Sequence, residues 1–274
     1  MVARFTLTTV NSPIKLGIII LWGLFTIGQT YGQSPSDSSV KEMRTDMAIL
    51  LNMNVGSVIP FPIYNIPEER QATMQPRPYF AVQFNTKIGE RLIIKVSQAF
   101  SQKSVAFSAS LIDQPYNGYI KQIVNGQVSE GEVTDAYFTG FSEGNFNLTY
   151  FELNSSLAYR LGKRSSLYAG LYAAYLLRSI NKVRVDGTVS LGPGLPPIST
   201  RFQRSEDYSE FVKKIDPGFM IGFERKIRGH VNFNLQYTSS LSSIYKSDLE
   251  AVQFTMLNMF VSMGLTFYLN KDFY

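Results

Sequence analysis

The lengths of the connections constrain this chain more than any single residue does. From about Met47 to the C-terminus, eight segments read as strands, and the links between them run long, short, long, short, long, short, long. The short links are Gly89-Glu90, Gly162-Lys163-Arg164-Ser165 and Arg228-Gly229, and the long ones lie near residues 59–77, 102–144, 181–214 and 243–251. An antiparallel up-and-down barrel that crosses an outer membrane has this rhythm, with tight turns on the periplasmic side and long loops outside. The expected fold class is therefore all-β, a transmembrane β-barrel of eight strands. The count becomes ten if the 102–144 link supplies a further hairpin, Val105 to Leu111 against Tyr119 to Val128.

Alternation within the segments assigns two faces. Met47, Ile49, Leu51, Met53 and Val55 share one side of the first strand, about 46–58. Phe80, Val82 and Phe84 alternate with Ala81, Gln83 and Asn85, and Leu92, Ile94 and Val96 with Ile93, Lys95 and Ser97. Around the second short link, Phe151, Leu153, Leu157 and Tyr159 oppose Glu152, Asn154, Ser156, Ala158 and Arg160. Leu167, Ala169, Leu171, Tyr175 and Leu177 then oppose Tyr168, Gly170, Tyr172, Ala174 and Arg178. Strands near 216–226, 231–238 and 253–269 repeat the pattern. A period of two gives each strand one apolar and one polar face, and about ten tilted residues cross a hydrocarbon layer. An even strand count returns both mature termini to the periplasm. Prolines within LGPGLPP, Leu191 to Pro197, make that part of the 181–214 link irregular.

The start of the chain has a different character. Arg4 and Lys15 accompany an apolar run from Leu16 to Ile27, followed by Gly28, Thr30 and Gly32. This is the pattern of a secretory signal peptide over residues 1–32, with cleavage after Gly32; the alternative is an uncleaved N-terminal anchor. Residues 33–45 are polar and read as a flexible periplasmic lead-in, and 46–274 as the barrel. Cleavage removes two of the 26 basic side chains and none of the 21 acids, leaving a formal charge of +3. So balanced a chain, without a basic run, does not point to nucleic acid. There is no cysteine, which excludes disulfides and a cysteine-linked lipid anchor. Charged residues make up 17%, below the roughly 25% of soluble domains, as expected of strands that face lipid.

Several segments then resemble a known family, the PorT-like outer-membrane β-barrel proteins of Bacteroidota. They are SQAFSQKSVAF (Ser97 to Phe107), YFELNSSLAYRLGK (Tyr150 to Lys163), LYAGLYAAYLL (Leu167 to Leu177), DPGFMIGFE (Asp216 to Glu224) and LNMFVSMGLTFYL (Leu257 to Leu269). Relatives often carry a proline after the acidic residue of the fourth strand, where this chain has Leu153-Asn154. The resemblance implies an outer-membrane barrel, and its name-giving member implies a role as an accessory of protein secretion. A fold-level likeness says less about function than about architecture. Barrel-assembly machinery reads a last strand of the form polar-x-Gly-x-x-apolar-x-apolar, and Ser262, Gly264, Phe267 and Leu269 have that spacing.

Catalytic chemistry has few residues to work with. His230 is the single histidine and falls at a short link; with no cysteine beside it, a zinc site of nitrogen and sulfur ligands is excluded. No phosphate-loop sequence is present. The expectation is a non-enzymatic protein without cofactor or metal. Its partners would be outer-membrane lipid, the assembly machinery and secretion-system or envelope proteins. A small channel or uptake barrel is one alternative, and a membrane-embedded lipid- or peptide-acting enzyme another. Charges on the polar face, Lys95, Glu152, Arg160, Arg178, Asp216 and Glu224, are expected to form a lumen network, with Arg178 meeting Asp216 and Arg160 meeting Glu224. Tyr159, Tyr168, Tyr268, Phe273 and Tyr274 at one end, and Tyr175 and Tyr237 at the other, are expected to form interfacial girdles. The 181–214 link carries Lys182, Arg184, Arg201, Arg204, Lys213 and Lys214 against four acids. It is expected to meet solvent, anionic lipopolysaccharide or a partner protein.

Overall fold

In the computed structural model, described over residues 45–61, 70–124, 127–199, 202–246 and 255–270, ten strands form one antiparallel sheet. They are β1 (Thr45–Phe61), β2 (Arg70–Met74), β3 (Arg77–Ile88), β4 (Leu92–Val124), β5 (Gln127–Arg160), β6 (Ser165–Ser190), β7 (Phe202–Asp207), β8 (Ile215–Arg228), β9 (Val231–Ser240) and β10 (Thr255–Tyr268). Eight of them close a ring in the order β1-β3-β4-β5-β6-β8-β9-β10, with β10 returning to β1. Strands β2 and β7 stand outside it, on β4 and β6. The expected signal segment 1–32, and the lead-in 33–45 except Thr45, lie outside the described residues.

The short links are tight turns, and Gly89 (φ 78°) and Gly229 (φ 54°) occupy left-handed conformations that glycine adopts without steric cost. The long links differ from expectation. The segments 105–111 and 119–128 do not pair with each other. Val105 lies opposite Phe146, Leu111 opposite Gly140 and Tyr119 opposite Glu132, so β4 and β5 run on as one long hairpin. The alternation that defines both strands in the ring persists beyond it. The ladder is interrupted only by irregularities between Leu111 and Gln114 and between Tyr116 and Gly118. Asp113 (φ 50°) sits in the first of these. β6 likewise continues to Ser190, while the proline-bearing stretch after it leaves the ladder.

Ring closure sends the two faces to different media. Ala48, Asn52, Asn54, Tyr79, Ala81, Asn85, Lys95, Ser97, Glu152 and Asn154 are buried in the lumen. The alternate positions stay open: Leu51, Phe80, Ile94, Phe100, Leu157, Leu171, Ile221 and Met263 are among the exposed large apolar residues, and Leu171 is 63% exposed. An apolar belt that circles the ring far exceeds the few hundred Å² a soluble monomer shows to water. It has the form of a lipid-facing band.

An eight-stranded barrel has an interior just wide enough for its side chains, and here glycines make room for rings. A Cβ on Gly218 would lie 2.2 Å from the Tyr172 ring, and one on Gly222 2.2 Å from that of Tyr168. Gly218→Val and Gly222→Val are therefore expected to abolish the compact, fast-migrating form in unheated detergent gels. Leu171→Val on the lipid face should retain it. Normal migration of both glycine variants would show that the lumen is looser than this packing.

Candidate functional site

Two buried cations organise the lumen. Nearer the tight-turn end, Lys95 forms an ion pair with Glu224, the two side chains 3% and 0% exposed. Glu224 also accepts the Asn232 amide at 2.8 Å, and the Lys95 ammonium lies 4.8 Å from the Tyr168 ring centre. The Tyr168 hydroxyl accepts from Asn234 at 3.0 Å and donates to Gln236 at 3.2 Å. Asn52 donates to Asn234 and to Ser262, each at 3.1 Å. At mid-lumen, Asn154 donates to Tyr79 and to Ser97, again at 3.1 Å.

The second cation is Lys103, 3.0 Å from Glu152. Its ammonium lies 5.1 Å from the ring centres of Tyr150 and Tyr172 and 5.7 Å from Phe260, distances at which a cation is attracted to a ring face. Asn258 donates to Asp216 at 2.7 Å and to the Tyr150 hydroxyl at 3.3 Å. Asp216 is 3% exposed and within electrostatic reach of Lys103.

Above this tier the lumen ends in an apolar roof. Val58, Val105, Phe146, Leu148, Leu176, Val212, Ile244, Tyr245 and Met256 form one buried cluster, with Phe107, Tyr208 and Phe211 packed against it. Phe146 lies between Phe107 and Tyr245, with ring centres 5.2 and 6.3 Å away. Backbone bonds hold the lid: Lys213 donates to the Ile244 carbonyl at 2.7 Å and Ile244 to that of Met256 at 2.8 Å.

Of the side chains expected in the lumen, Lys95, Glu152, Asp216 and Glu224 are each at most 3% exposed. Arg160 is half-buried at the last position of β5, beside the tight turn. Arg178 is a correction: it is exposed on the outer face. Tyr150 lies opposite Leu176 but Thr149 opposite Arg178, so β6 carries one extra residue, Leu177. This bulge shifts the alternation by one and turns Arg178 outward. The expected pairing of Arg178 with Asp216 gives way to Asn258–Asp216, and Glu224 pairs with Lys95.

Lys103 lies outside the set expected in the lumen although the alternation reaches it: it continues the row Lys95, Ser97, Ala99, Ser101 into the expected 102–144 link. Tyr168 and Tyr268 also face the lumen, 6% and 3% exposed, and so belong to no girdle. Tyr159 and Tyr175 are outward, at 44% and 39%; Phe273 and Tyr274 lie outside the described residues. Ser262 of β10 faces the lumen, and Leu269, directly after the strand, is exposed. A Cβ on Gly264 would lie 2.1 Å from the Leu51 carbonyl, so the closing seam itself requires that glycine. His230 is exposed at the β8–β9 turn. Among the described residues no cluster of three metal-ligating side chains occurs.

Beyond the ring, β2-β4-β5-β6-β7 form a five-stranded projecting sheet. One row crosses it through Thr73, Ala106, Asn145, Lys182 and Asp207, and the next through Gln71, Ser108, Glu143, Arg184 and Ser205. These rows line a shallow groove of about 420 Å³, where Arg184 lies 3.8 Å from Glu143. Asp207 accepts the Ser209 amide at 2.9 Å; hydrogen bonds from the Ser209 hydroxyl and amide hold its carboxyl below the usual range. The tip has its own small core of Ile120, Val133, Ala136, Phe138 and Val189.

A closed antiparallel ring with a lipid-facing belt and a filled lumen defines a transmembrane β-barrel. The chain belongs to the outer membrane protein beta-barrel domain family, whose profile matches residues 33–246. Membership places it in the outer membrane. Among solved structures it is similar to Ail, the attachment invasion locus protein of Yersinia pestis, solved in complex with the heparin analogue sucrose octasulfate. The match has 10% identity and a TM-score of 0.34, and covers 83% of this chain and 98% of that one. The comparison with curated proteins returns no match.

Removing one partner of a buried ion pair leaves an uncompensated charge, at a cost of about 3–5 kcal/mol, whereas replacing both is near neutral. Lys95→Met is accordingly expected to unfold at lower urea than the parent when refolded in detergent and read by gel migration. The double variant Lys95→Met/Glu224→Leu should recover most of the loss. Additive losses in the double variant would deny the coupling.

Proposed function

We propose that this protein is a non-enzymatic envelope interaction protein: a closed barrel held in the outer membrane that presents its projecting sheet outside the cell, with both termini periplasmic. The observation that carries the reading is the mismatch between what the membrane needs and what the strands supply. β9 has 10 residues, while β4 and β5 have 33 and 34. About ten tilted residues suffice to cross the bilayer. The surplus is ordered, with a core at its tip and a polar groove on its face, while the lumen beneath is filled and roofed. That arrangement favours docking over conduction and argues against the channel alternative.

A narrower reading, an accessory of protein secretion, draws on the PorT-like resemblance. In it, secretion-system or envelope proteins dock on the sheet or the tight turns. Recognition of β10 through Ser262, Gly264, Phe267 and Leu269 by the assembly machinery belongs to the same proposal. The narrower role is tested by the secreted proteome of a deletion strain. Specific loss of exported proteins, restored by complementation, supports it, and an unchanged proteome removes it.

The absence of cysteine makes orientation directly measurable. A Gln114→Cys variant should react with an impermeant maleimide on intact cells, and a Lys163→Cys variant only after permeabilisation. The reverse pattern would invert the topology. In planar bilayers the purified protein is expected to show no steady conductance. A large, stable conductance would favour the channel.

A further inference from the structure

We propose that Arg178, Lys213 and Lys214 form a site for the phosphate of a lipid headgroup in the leaflet at the projecting end of the barrel. The β6 bulge is the first argument. Without it, Arg178 would continue the buried row of Tyr172, Ala174 and Leu176; with it, Arg178 is exposed directly after Leu177. A bulge of this kind re-aims a side chain.

The height is the second argument. Tyr175, Leu177 and Ile215 are the last large apolar residues that β6 and β8 leave exposed toward this end. Tyr175 lies opposite Ile215, and the Leu176 amide donates to the Lys214 carbonyl at 2.8 Å. Arg178 on β6 and the Lys213-Lys214 pair, which leads directly into β8, thus flank one level of two neighbouring strands about 5 Å apart. That level is where hydrocarbon gives way to headgroups.

Charge is the third argument. Lys214 and Arg178 are exposed and Lys213 is half-buried. The outward neighbours at this level are Ile180 on β6, Thr149 and Asn147 on β5, and Ile215 on β8, with no carboxylate among them. Higher on the sheet the cations are matched: Arg184 faces Glu143, and Lys182 lies opposite Asp207. Arg178, Lys213 and Lys214 form no ion pair with any carboxylate among the described residues. A guanidinium and two ammonium groups at a headgroup level suit phosphate oxygens, which accept charge-assisted hydrogen bonds from both, and basic side chains beside a membrane surface are drawn to anionic lipid.

The site uses the topology of the preceding section only to name its leaflet. The test is a native mass-spectrometry titration of the full chain in neutral detergent, with diphosphorylated lipid A against its enzymatically dephosphorylated form. The phosphorylated lipid is expected to bind at least tenfold tighter. Arg178→Gln should lose about threefold, and Arg178→Gln/Lys213→Gln/Lys214→Gln should abolish the preference while migrating as a folded barrel. Lys182→Gln/Arg184→Gln should stay within twofold of the parent. Equal binding of the two lipids, an unaltered triple variant, or an equal loss in the Lys182/Arg184 variant would each overturn the site. Maleimide labelling reports orientation independently, so an inverted topology would refute the functional reading while leaving phosphate binding to be decided by the titration.

Discussion

Everything in this molecule depends on the β1–β10 seam. In hydrocarbon no water is present to satisfy a bare N–H or C=O, so a sheet survives only as a closed ring. The seam runs from Ala48 opposite Tyr268 to Phe61 opposite Thr255 without a register shift. Gly264 and Gly56 let the two strands approach, because a side chain at either would strike the Leu51 or the Met259 carbonyl. Once the ring closes at eight strands, its interior is just wide enough for its side chains, and a buried charge there is stabilised by a partner of opposite sign. The buried Lys95–Glu224 and Lys103–Glu152 pairs follow from that geometry.

The ring and the projection obey the same alternation, but the β6 bulge separates them. Below it, the outer face of β6 is Leu167, Leu171 and Tyr175; above it, that face becomes Arg178, Lys182 and Arg184. One inserted residue thereby changes a lipid-facing strand into a water-facing one without breaking the ladder. It also leaves Asn181 on the inner side, where its amide donates to the Tyr245 hydroxyl at 2.5 Å and ties the projecting sheet to the roof. Lumen, lid and projecting sheet are thereby joined through one set of strands.

Alternating hydrophobicity made the faces of Met47–Val55, Phe80–Asn85 and Phe151–Arg160 readable from sequence, because period two is a local property of a strand. The tight turns were readable for the same reason: Gly89 and Gly229 announce backbone conformations that few other residues accept. Lys95, Glu152, Asp216 and Glu224 could be assigned to the polar face by counting. Their partners could not. Pairing across a barrel joins residues more than a hundred positions apart, as Lys95 and Glu224 are, and depends on strand tilt and stagger.

The sequence by itself determined the strand faces, the turns and the membrane-crossing class, since each is encoded within a dozen consecutive residues. The tertiary structure decided three things that alternation could not. It placed the extra residue at Leu177, which appears only when β5 and β6 are laid in register. It carried β4 and β5 past the ring as one hairpin, which depends on long-range pairing between 105–111 and 140–146. And it assembled the roof, whose members come from seven separate stretches of chain and meet only because the ring brings their ends to one rim.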